Sequence, residues 1–146
     1  MRFSNQMITA KEVAGLVADS ARFDVFRLTD SLLENNLVRV LRMIRALKQN
    51  NTAIVVIHWA LERQVRTLLH FAYFKSKGQR VGPADYRKQG IWQNQQAAIQ
   101  SALNRLNAKN LEKLLAKMAK LDRIIKGQAK GDAWLALEQW TVDFCS

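Results

Sequence analysis

The sequence predicts an all-α fold, a bundle of about six to eight helices, from three observations. Hydrophobic residues make up 49% of the 146 residues, which is enough to build one buried core. The chain has one Pro and six Gly, so it is poor in the residues that turns and linkers require. Apolar residues recur every three or four positions along most of the chain, whereas the alternation typical of a strand is not sustained anywhere.

Two helices are expected at the N-terminal end. Thr9 and the Glu three residues later have the spacing of a capping box, which predicts the start of a short first helix. Asp24 is a second candidate cap, and the helix after it would carry Phe26, Leu32 and Leu33.

The middle of the chain predicts two further helices. From Leu37 to Leu47 the apolar residues form a stripe with helical spacing, and the polar run at 50–52 ends it. The segment from 52 to about 75 keeps the same period over about five turns. Its first residues, 54–57, could be a strand on β-propensity alone, but the sustained period favours a helix.

Four more helices are expected after a loop at 78–83, at about 84–88, 91–106, 109–125 and 132–144. The predicted buried face of the 109–125 helix consists of Leu111, Leu114, Leu115, Met118, Leu121 and Ile125. The last helix is expected to bury Ala133, Trp134, Leu137, Trp140 and Phe144, although one edge of so aromatic a helix could meet a neighbouring subunit.

Charge is the strongest functional signal in the composition. The 23 Lys and Arg residues exceed the 12 Asp and Glu residues by enough to give a net charge of +11 and a pI of about 10.3. The excess is concentrated, because residues 35–90 hold eleven basic and two acidic side chains. A field of this size attracts polyanions, and nucleic acid is the polyanion that we expect.

The compartment is predicted from the cysteine content and from the apolar runs. Cys145 is the only cysteine, which excludes an internal disulfide and fits a reducing cytosol. The first seven residues, MRFSNQM, contain no apolar signal core, and even the longest apolar runs, such as 53–57, are too short to span a bilayer. We therefore expect a cytoplasmic protein without a membrane segment.

Catalysis is poorly supported by the residue types present. His58 and His70 lie several turns apart on one predicted helix and point in different directions, so they cannot share a metal ion. A lone cysteine and two separated histidines form no recognisable nucleophile–base pair. The glycines of GQAKG at 127–131 lack the Lys-Ser/Thr step of a phosphate-binding loop. We expect no catalytic activity, no metal and no cofactor.

A lysine ridge follows one face of the 109–125 helix. It consists of Lys109, Lys113, Lys117 and Lys120, with Arg123 and Lys126 extending the charge around the helix. Two interpretations remain open from the sequence. The ridge is either a solvated outer face opposite the apolar stripe or a track for the phosphates of DNA. On the second interpretation the phosphate contacts are Lys113, Lys117, Lys120 and Lys126.

Trp92 is the most informative single residue, and it also has two interpretations. Its ring could stack on an unpaired base, with Arg87, Lys88 and Gln93 holding phosphates nearby. Alternatively it belongs to the core, because it shares a helical face with Ile99, Leu103 and Leu106 if the helix begins at 91.

Several short motifs, none of them specific alone, occur in an order that resembles one protein family. The resemblance extends over most of the chain, from about Ile8 to Cys145. Residues 90–106, GIWQNQQAAIQSALNRL, follow the cluster Tyr86, Arg87 and Lys88, and the Lys-rich helix leads into GDAWLALEQW at 131–140. Upstream lies ARFDVFRLTDSLLENN at 21–36, a Phe-rich segment with an Asp-x-Leu-Leu step. This arrangement resembles the C-terminal part of the delta subunit of the bacterial DNA polymerase III clamp loader.

The resemblance implies that the chain is one part of a larger subunit. Residues 1–20 would be the end of a lid domain or a lead-in segment, and residues 21–146 would be the helical collar, or oligomerisation, domain. The implied partners are the motor (gamma/tau) subunits and the delta-prime subunit, with the sliding clamp reached only through a first domain that this chain lacks. The parent subunit would belong to a DNA-directed DNA polymerase holoenzyme, a nucleotidyltransferase.

The resemblance also bears on DNA. The Trp-Gln step at 92–93 corresponds to the inner surface of the collar, above the primer–template junction, so a weak contact to primer–template DNA is implied. Where relatives can carry an aromatic residue just before the last helix, this chain has Ala129, which puts a second stacking contact there in doubt.

Two rival functions remain open. The chain could be a stand-alone basic helical DNA- or RNA-binding domain, although no compact helix–turn–helix with a polar recognition turn is evident. It could also bind an anionic membrane surface through 111–125, but that helix has no Trp or Phe on its apolar face, and we expect no membrane partner.

Overall fold

The computed structural model describes the backbone of residues 10–146 and the side chains of residues 22–146. This part of the chain forms seven helices and contains no strand, which confirms the predicted all-α class. The capping box predicted at Thr9 lies outside the described residues. None of the described helices is long and apolar enough to cross a bilayer.

The helices are α1 (Ala10–Leu33), α2 (Leu37–Gln49), α3 (Ile54–Ser76), α4 (Pro83–Lys88), α5 (Gln93–Arg105), α6 (Ala108–Ile125) and α7 (Ala133–Cys145). From α2 onward each predicted end lies within two residues of the observed one. Helical periodicity was therefore sufficient to predict the bounds of six of the seven described helices.

The two helices predicted at the N-terminal end are one continuous helix, α1. Asp24 lies inside it and is not a cap, so that prediction was wrong. No Gly or Pro follows Gly15 before the helix ends, and Val25, Leu28 and Leu32 are buried at helical spacing, which gives this half of α1 a face to pack. The predicted domain boundary between residues 20 and 21 falls within α1 and stays a prediction.

Two asparagines with left-handed backbone separate the first three helices. Asn35 has φ of 61° and Asn51 has φ of 60°, a conformation that Asn tolerates better than most residues. Asn36 then begins α2, because its side-chain oxygen accepts the backbone N–H of Arg39 at 3.2 Å. These turns fold α1, α2 and α3 back on one another.

The core surrounds α3, which packs against α6, α1 and α5, while α7 packs against α6 and α2. The predicted α6 face is confirmed, with Leu111, Leu114, Met118 and Leu121 buried and Leu115 and Ile125 partly buried. In α7 the predicted core is also confirmed: Leu137, Trp140 and Phe144 are buried, and Trp134 is partly buried.

Two buried side chains bond to backbone carbonyls of α6 and attach neighbouring helices to it. The Nε2 atom of His58 in α3 lies 2.8 Å from the carbonyl oxygen of Met118. The Nε1–H of Trp140 in α7 donates to the carbonyl oxygen of Leu114 at 3.0 Å. Because the ring nitrogens of both His58 and Trp140 have a partner, neither residue costs the free energy of an unsatisfied buried group. His58 is therefore a core residue.

Candidate nucleic-acid interface

The turn between α4 and α5 determines where Trp92 lies. The N–H of Gly90 donates to the carbonyl oxygen of Arg87 at 3.0 Å, and the N–H of Ile91 donates to that of Tyr86 at 3.0 Å. This pair of bonds is a Schellman motif, and its left-handed position is occupied by Gly90 with φ of 72°. Ile91 and Tyr86, the two positions whose side chains usually accompany this motif, are both buried.

Trp92 follows this anchor in extended backbone, with φ of −72° and ψ of 152°, and α5 begins one residue later. Successive side chains of an extended segment point in opposite directions, so the burial of Ile91 turns Trp92 outward. The exposed fraction of Trp92 is 75%. The core interpretation of Trp92 is therefore wrong, because the residue precedes the helix whose face it was expected to share.

Gln95 fixes the backbone of Trp92 to the rest of the domain. Its side-chain oxygen accepts the backbone N–H of Trp92 at 3.2 Å, and its Nε2 donates to Oδ1 of Asp30 in α1 at 3.3 Å. One partly buried amide thus joins the start of α5 to α1. The indole ring itself remains accessible to a ligand.

Trp92 stands on one side of a groove with a volume of about 350 Å³ that α1, α3 and the start of α5 enclose. Its apolar lining includes Leu33, Ala60, Ile91 and Ile99. Its polar lining includes Thr29, Gln64, Thr67, Gln89 and Gln95. Such a groove offers apolar surface for the flat face of a ring and hydrogen-bonding groups for its edge.

Two further aromatic side chains, Phe26 and Trp59, line the same groove, and sequence reasoning did not select either as a site residue. Each is 55% exposed. In α3 a signal was present, because Trp59 lies off the stripe of apolar residues that the helical period places in the core. Phe26 was predicted only as one of the apolar residues carried by its helix.

The predicted polar neighbours of Trp92 are all at the surface. Arg87 and Lys88 are exposed in the last turn of α4, just before Gln89 and Gly90 of the groove. Gln93 is exposed at the start of α5. These side chains are thus adjacent to the ring along the chain and accessible to phosphates.

The four lysines predicted as phosphate contacts, three in α6 and Lys126 at its C-terminal cap, fall into two groups. Lys113 and Lys120 are exposed, and no described carboxylate lies within ion-pair distance of either. Lys117 Nζ lies 3.1 Å from Oδ2 of Asp143 in α7, and Lys126 Nζ lies 2.8 Å from Oδ2 of Asp122. The four candidate phosphate contacts are therefore not equivalent.

The Lys126–Asp122 ion pair shifts the pKa of both of its members. The hydrogen bond from Lys126 lowers the pKa of the Asp122 carboxyl, and the same bond raises the pKa of the Lys126 ammonium. The pair thus favours the charged form of both groups, and each group offsets part of the other's field.

The groove and the α6 lysines are separate surfaces. None of the residues that line the groove belongs to α6. Within the described part of the chain, no group of three or more His, Cys, Asp or Glu side chains could hold a metal ion. The interface that the geometry supports is an aromatic groove with basic residues beside it and a second basic face elsewhere.

Comparison with known proteins identifies a family that this chain matches. Residues 23–144 match the family described as the C-terminal domain of the DNA polymerase III delta subunit. The chain is similar to the DNA polymerase III subunit delta of Haemophilus influenzae, with 23% identity over 153 residues that cover 98% of this chain and 44% of that protein. It is also similar to the Escherichia coli K12 protein of the same name, with 24% identity over 138 residues that cover 94% and 40% of the two chains. The chain thus spans less than half the length of these relatives.

Proposed function

The chain belongs to the family formed by the C-terminal domain of the DNA polymerase III delta subunit, and on this premise we propose that it is the collar domain of a bacterial clamp loader protein. The observation that carries the proposal is the extent of the match. Residues 23–144 include the end of α1, all of α2–α6 and nearly all of α7, so the likeness concerns a whole helical domain.

The proposed role is assembly. The collar joins the motor (gamma/tau) subunits and the delta-prime subunit in a ring, and it holds the rest of its own subunit at one end of that ring. Several large apolar side chains on different helices support such contacts, since Val38, Val55, Val56 and Leu135 are between 44% and 65% exposed. We expect the sliding clamp to be contacted by another domain of the subunit and not by this one.

Size-exclusion chromatography with light scattering tests the assembly directly. The purified chain is mixed with motor-subunit and delta-prime collar domains at roughly tens of micromolar, without nucleotide. A stoichiometric complex is expected, and substitutions of Val38 or Leu135 to Asp identify the face that is used. If the chain bound nucleic acid but joined neither neighbour, a stand-alone nucleic-acid-binding domain would be the better description.

The second part of the proposal is a weak contact to the unpaired template strand of primer–template DNA. Trp92 would stack on a base, while Arg87, Lys88 and Gln93 would hold nearby phosphates. The exposed ring and its fixed backbone support this role. The lysines of α6 would add a long-range attraction, with Lys113 and Lys120 better placed than the ion-paired Lys117 and Lys126.

Catalysis is not part of the proposed role. The parent subunit serves a DNA-directed DNA polymerase holoenzyme, and we expect the purified chain neither to hydrolyse ATP nor to incorporate nucleotides. A role in replicating the chromosome implies a cytoplasmic location. An ATPase activity that co-purified through several columns and disappeared on a point substitution in this chain would contradict this part of the proposal.

A further inference from the structure

The groove beside Trp92 contains a second exposed indole that the proposed template contact does not use. Trp59 lies in the second turn of α3 and is 55% exposed, whereas its neighbours Ile57, His58 and Ala60 are buried. The core on this part of α3 is therefore complete without Trp59. A large ring kept half in solvent at the edge of a groove is typical of a ligand-binding surface.

Arg63 accompanies Trp59 one turn further along α3. Its guanidinium carbon lies 5.5 Å from the centre of the Trp59 ring, within the distance of a cation–π interaction. Arg66, by contrast, bonds to Glu62 at 3.1 Å. No described carboxylate lies within ion-pair distance of Arg63, so its positive charge is available to an anionic ligand.

The chemistry of the groove indicates which ligand fits. Gln64, Thr67 and Gln89 supply amide and hydroxyl groups that can bond to the edges of bases. No Asp or Glu is among the described residues that line the groove. Together with the net charge of +11, this favours an anionic strand with exposed rings over an acidic peptide without them.

We propose that Trp59 and Arg63 form a second nucleotide-binding position, so that single-stranded DNA in the groove stacks one unpaired base on Trp92 and another on Trp59. Arg63 contacts a phosphate of the same strand. The inference rests on the proposed template contact at Trp92 and extends it from one base to at least two. It also supplies a second stacking residue on α3, whereas Ala129 lies in the turn between α6 and α7.

Fluorescence anisotropy with a labelled oligonucleotide of about 12 thymidines tests this at low salt. Trp59→Ala is expected to weaken binding roughly 5- to 150-fold, the range that corresponds to about 1–3 kcal/mol for one stacked base. Trp59→Phe is expected to restore part of the loss. Arg63→Gln is expected to reduce the slope of log affinity against log salt by about 0.7, the value for one phosphate contact on a single strand.

A matched control exists on α1. Phe23 is 61% exposed, and the guanidinium of Arg27 lies 5.8 Å from its ring centre, so this pair has the same spacing along the helix and a similar cation–π arrangement. Neither residue lines the groove. Phe23→Ala is therefore expected to leave the affinity for the oligonucleotide unchanged.

These experiments distinguish failure of the second nucleotide-binding position from failure of the proposed template contact at Trp92. A loss of affinity with Trp92→Ala but not with Trp59→Ala would overturn the inference and leave the template contact intact. An unchanged affinity with Trp92→Ala would overturn the template contact itself. If Trp59→Ala weakened assembly with the other loader subunits and not DNA binding, the groove would be a protein-docking surface and the inference would be wrong. Circular dichroism verifies that each variant is folded. If Trp59→Ala does not fold, the two single variants Trp59→Phe and Arg63→Gln decide the question.

Discussion

The side-chain oxygen of Gln95 accepts the backbone N–H of Trp92 at 3.2 Å, so a residue in the first turn of α5 fixes the N-cap residue that precedes the helix. The same side chain donates to Asp30 in α1 at 3.3 Å. The position of the exposed ring is thus set by α1 and α5 together. An ordered backbone under an exposed ring reduces the conformational entropy that is lost when a base stacks on it.

Removing this amide is expected to affect both stability and binding. Gln95→Ala should lower the free energy of unfolding by about 1 kcal/mol, the usual size for a lost helix-start hydrogen bond, and should weaken single-strand binding because Trp92 is less ordered. Thermal unfolding and anisotropy measure the two effects. Gln100→Ala, an exposed amide on the same helix, is the control and should change neither. Unaltered binding by a measurably destabilised Gln95→Ala protein would show that Trp92 does not depend on this bond.

The Schellman turn provides a second prediction. Gly90→Ala should cost about 1–2 kcal/mol, because a φ of 72° is strained for any residue with a Cβ atom. No atom lies within 4 Å of the added Cβ, so backbone strain accounts for the whole cost. Gly82→Ala is the control, since Gly82 has φ of −103° and an added Cβ there meets only Asp85 Oδ2 at 3.7 Å. Denaturant titration of the two variants should place Gly82→Ala near the parent protein; equal destabilisation of both would contradict this account.

The lysines of α6 can be compared in pairs of equal charge change. A double variant with Lys113→Gln and Lys120→Gln should have a slope of log affinity against log salt that is smaller by up to about 1.4, if both lysines contact phosphates of a single strand. Lys117→Gln with Lys126→Gln should leave the slope nearly unchanged, because those ammonium groups already bond to Asp143 and Asp122. Titrations at several salt concentrations give both slopes. Equal slopes for the two double variants would show that α6 acts only through its total charge.

Cys145 is predicted to react slowly. Burial raises the pKa of its thiol, and the nearby positive charge of Arg105 only partly opposes this effect. Because the thiolate is the reactive form, alkylation near neutral pH should be slower than for an exposed cysteine, and its rate should keep rising at pH values where an ordinary thiol has levelled off. Iodoacetamide kinetics followed by mass spectrometry measure this. A pH–rate profile like that of a model thiol would contradict the burial of the side chain.

The sequence predicted those parts of the fold that depend on periodicity. The stripe through Leu111, Leu114 and Met118 extends over several turns, so its helix and its buried face were both correct. Asp24 was misassigned because an acidic residue is compatible with a helix interior as well as with a cap. Only the packing of Val25, Leu28 and Leu32 shows that α1 continues through it.

The candidate site was harder to predict, because it depends on a turn. Trp92 shares a helical face with Ile99 only if the helix starts at 91, and the left-handed backbone of Gly90 moves that start to Gln93. The ion pair of Lys117 with Asp143 joins α6 to α7 and is invisible to spacing along one helix. Likewise, the groove that brings Trp59 to Trp92 arises from tertiary packing alone.

Whether Trp92 contacts DNA can be observed by ¹⁹F NMR of the chain labelled with 5-fluorotryptophan and titrated with single-stranded DNA. Each of the four tryptophans gives its own resonance, assigned with single Trp→Phe variants. We expect the Trp92 signal to shift on binding, while that of Trp140, which is 2% exposed and bonded to Leu114, stays in place. A saturating titration in which the Trp92 signal does not move would contradict the claim that this exposed ring is a DNA contact.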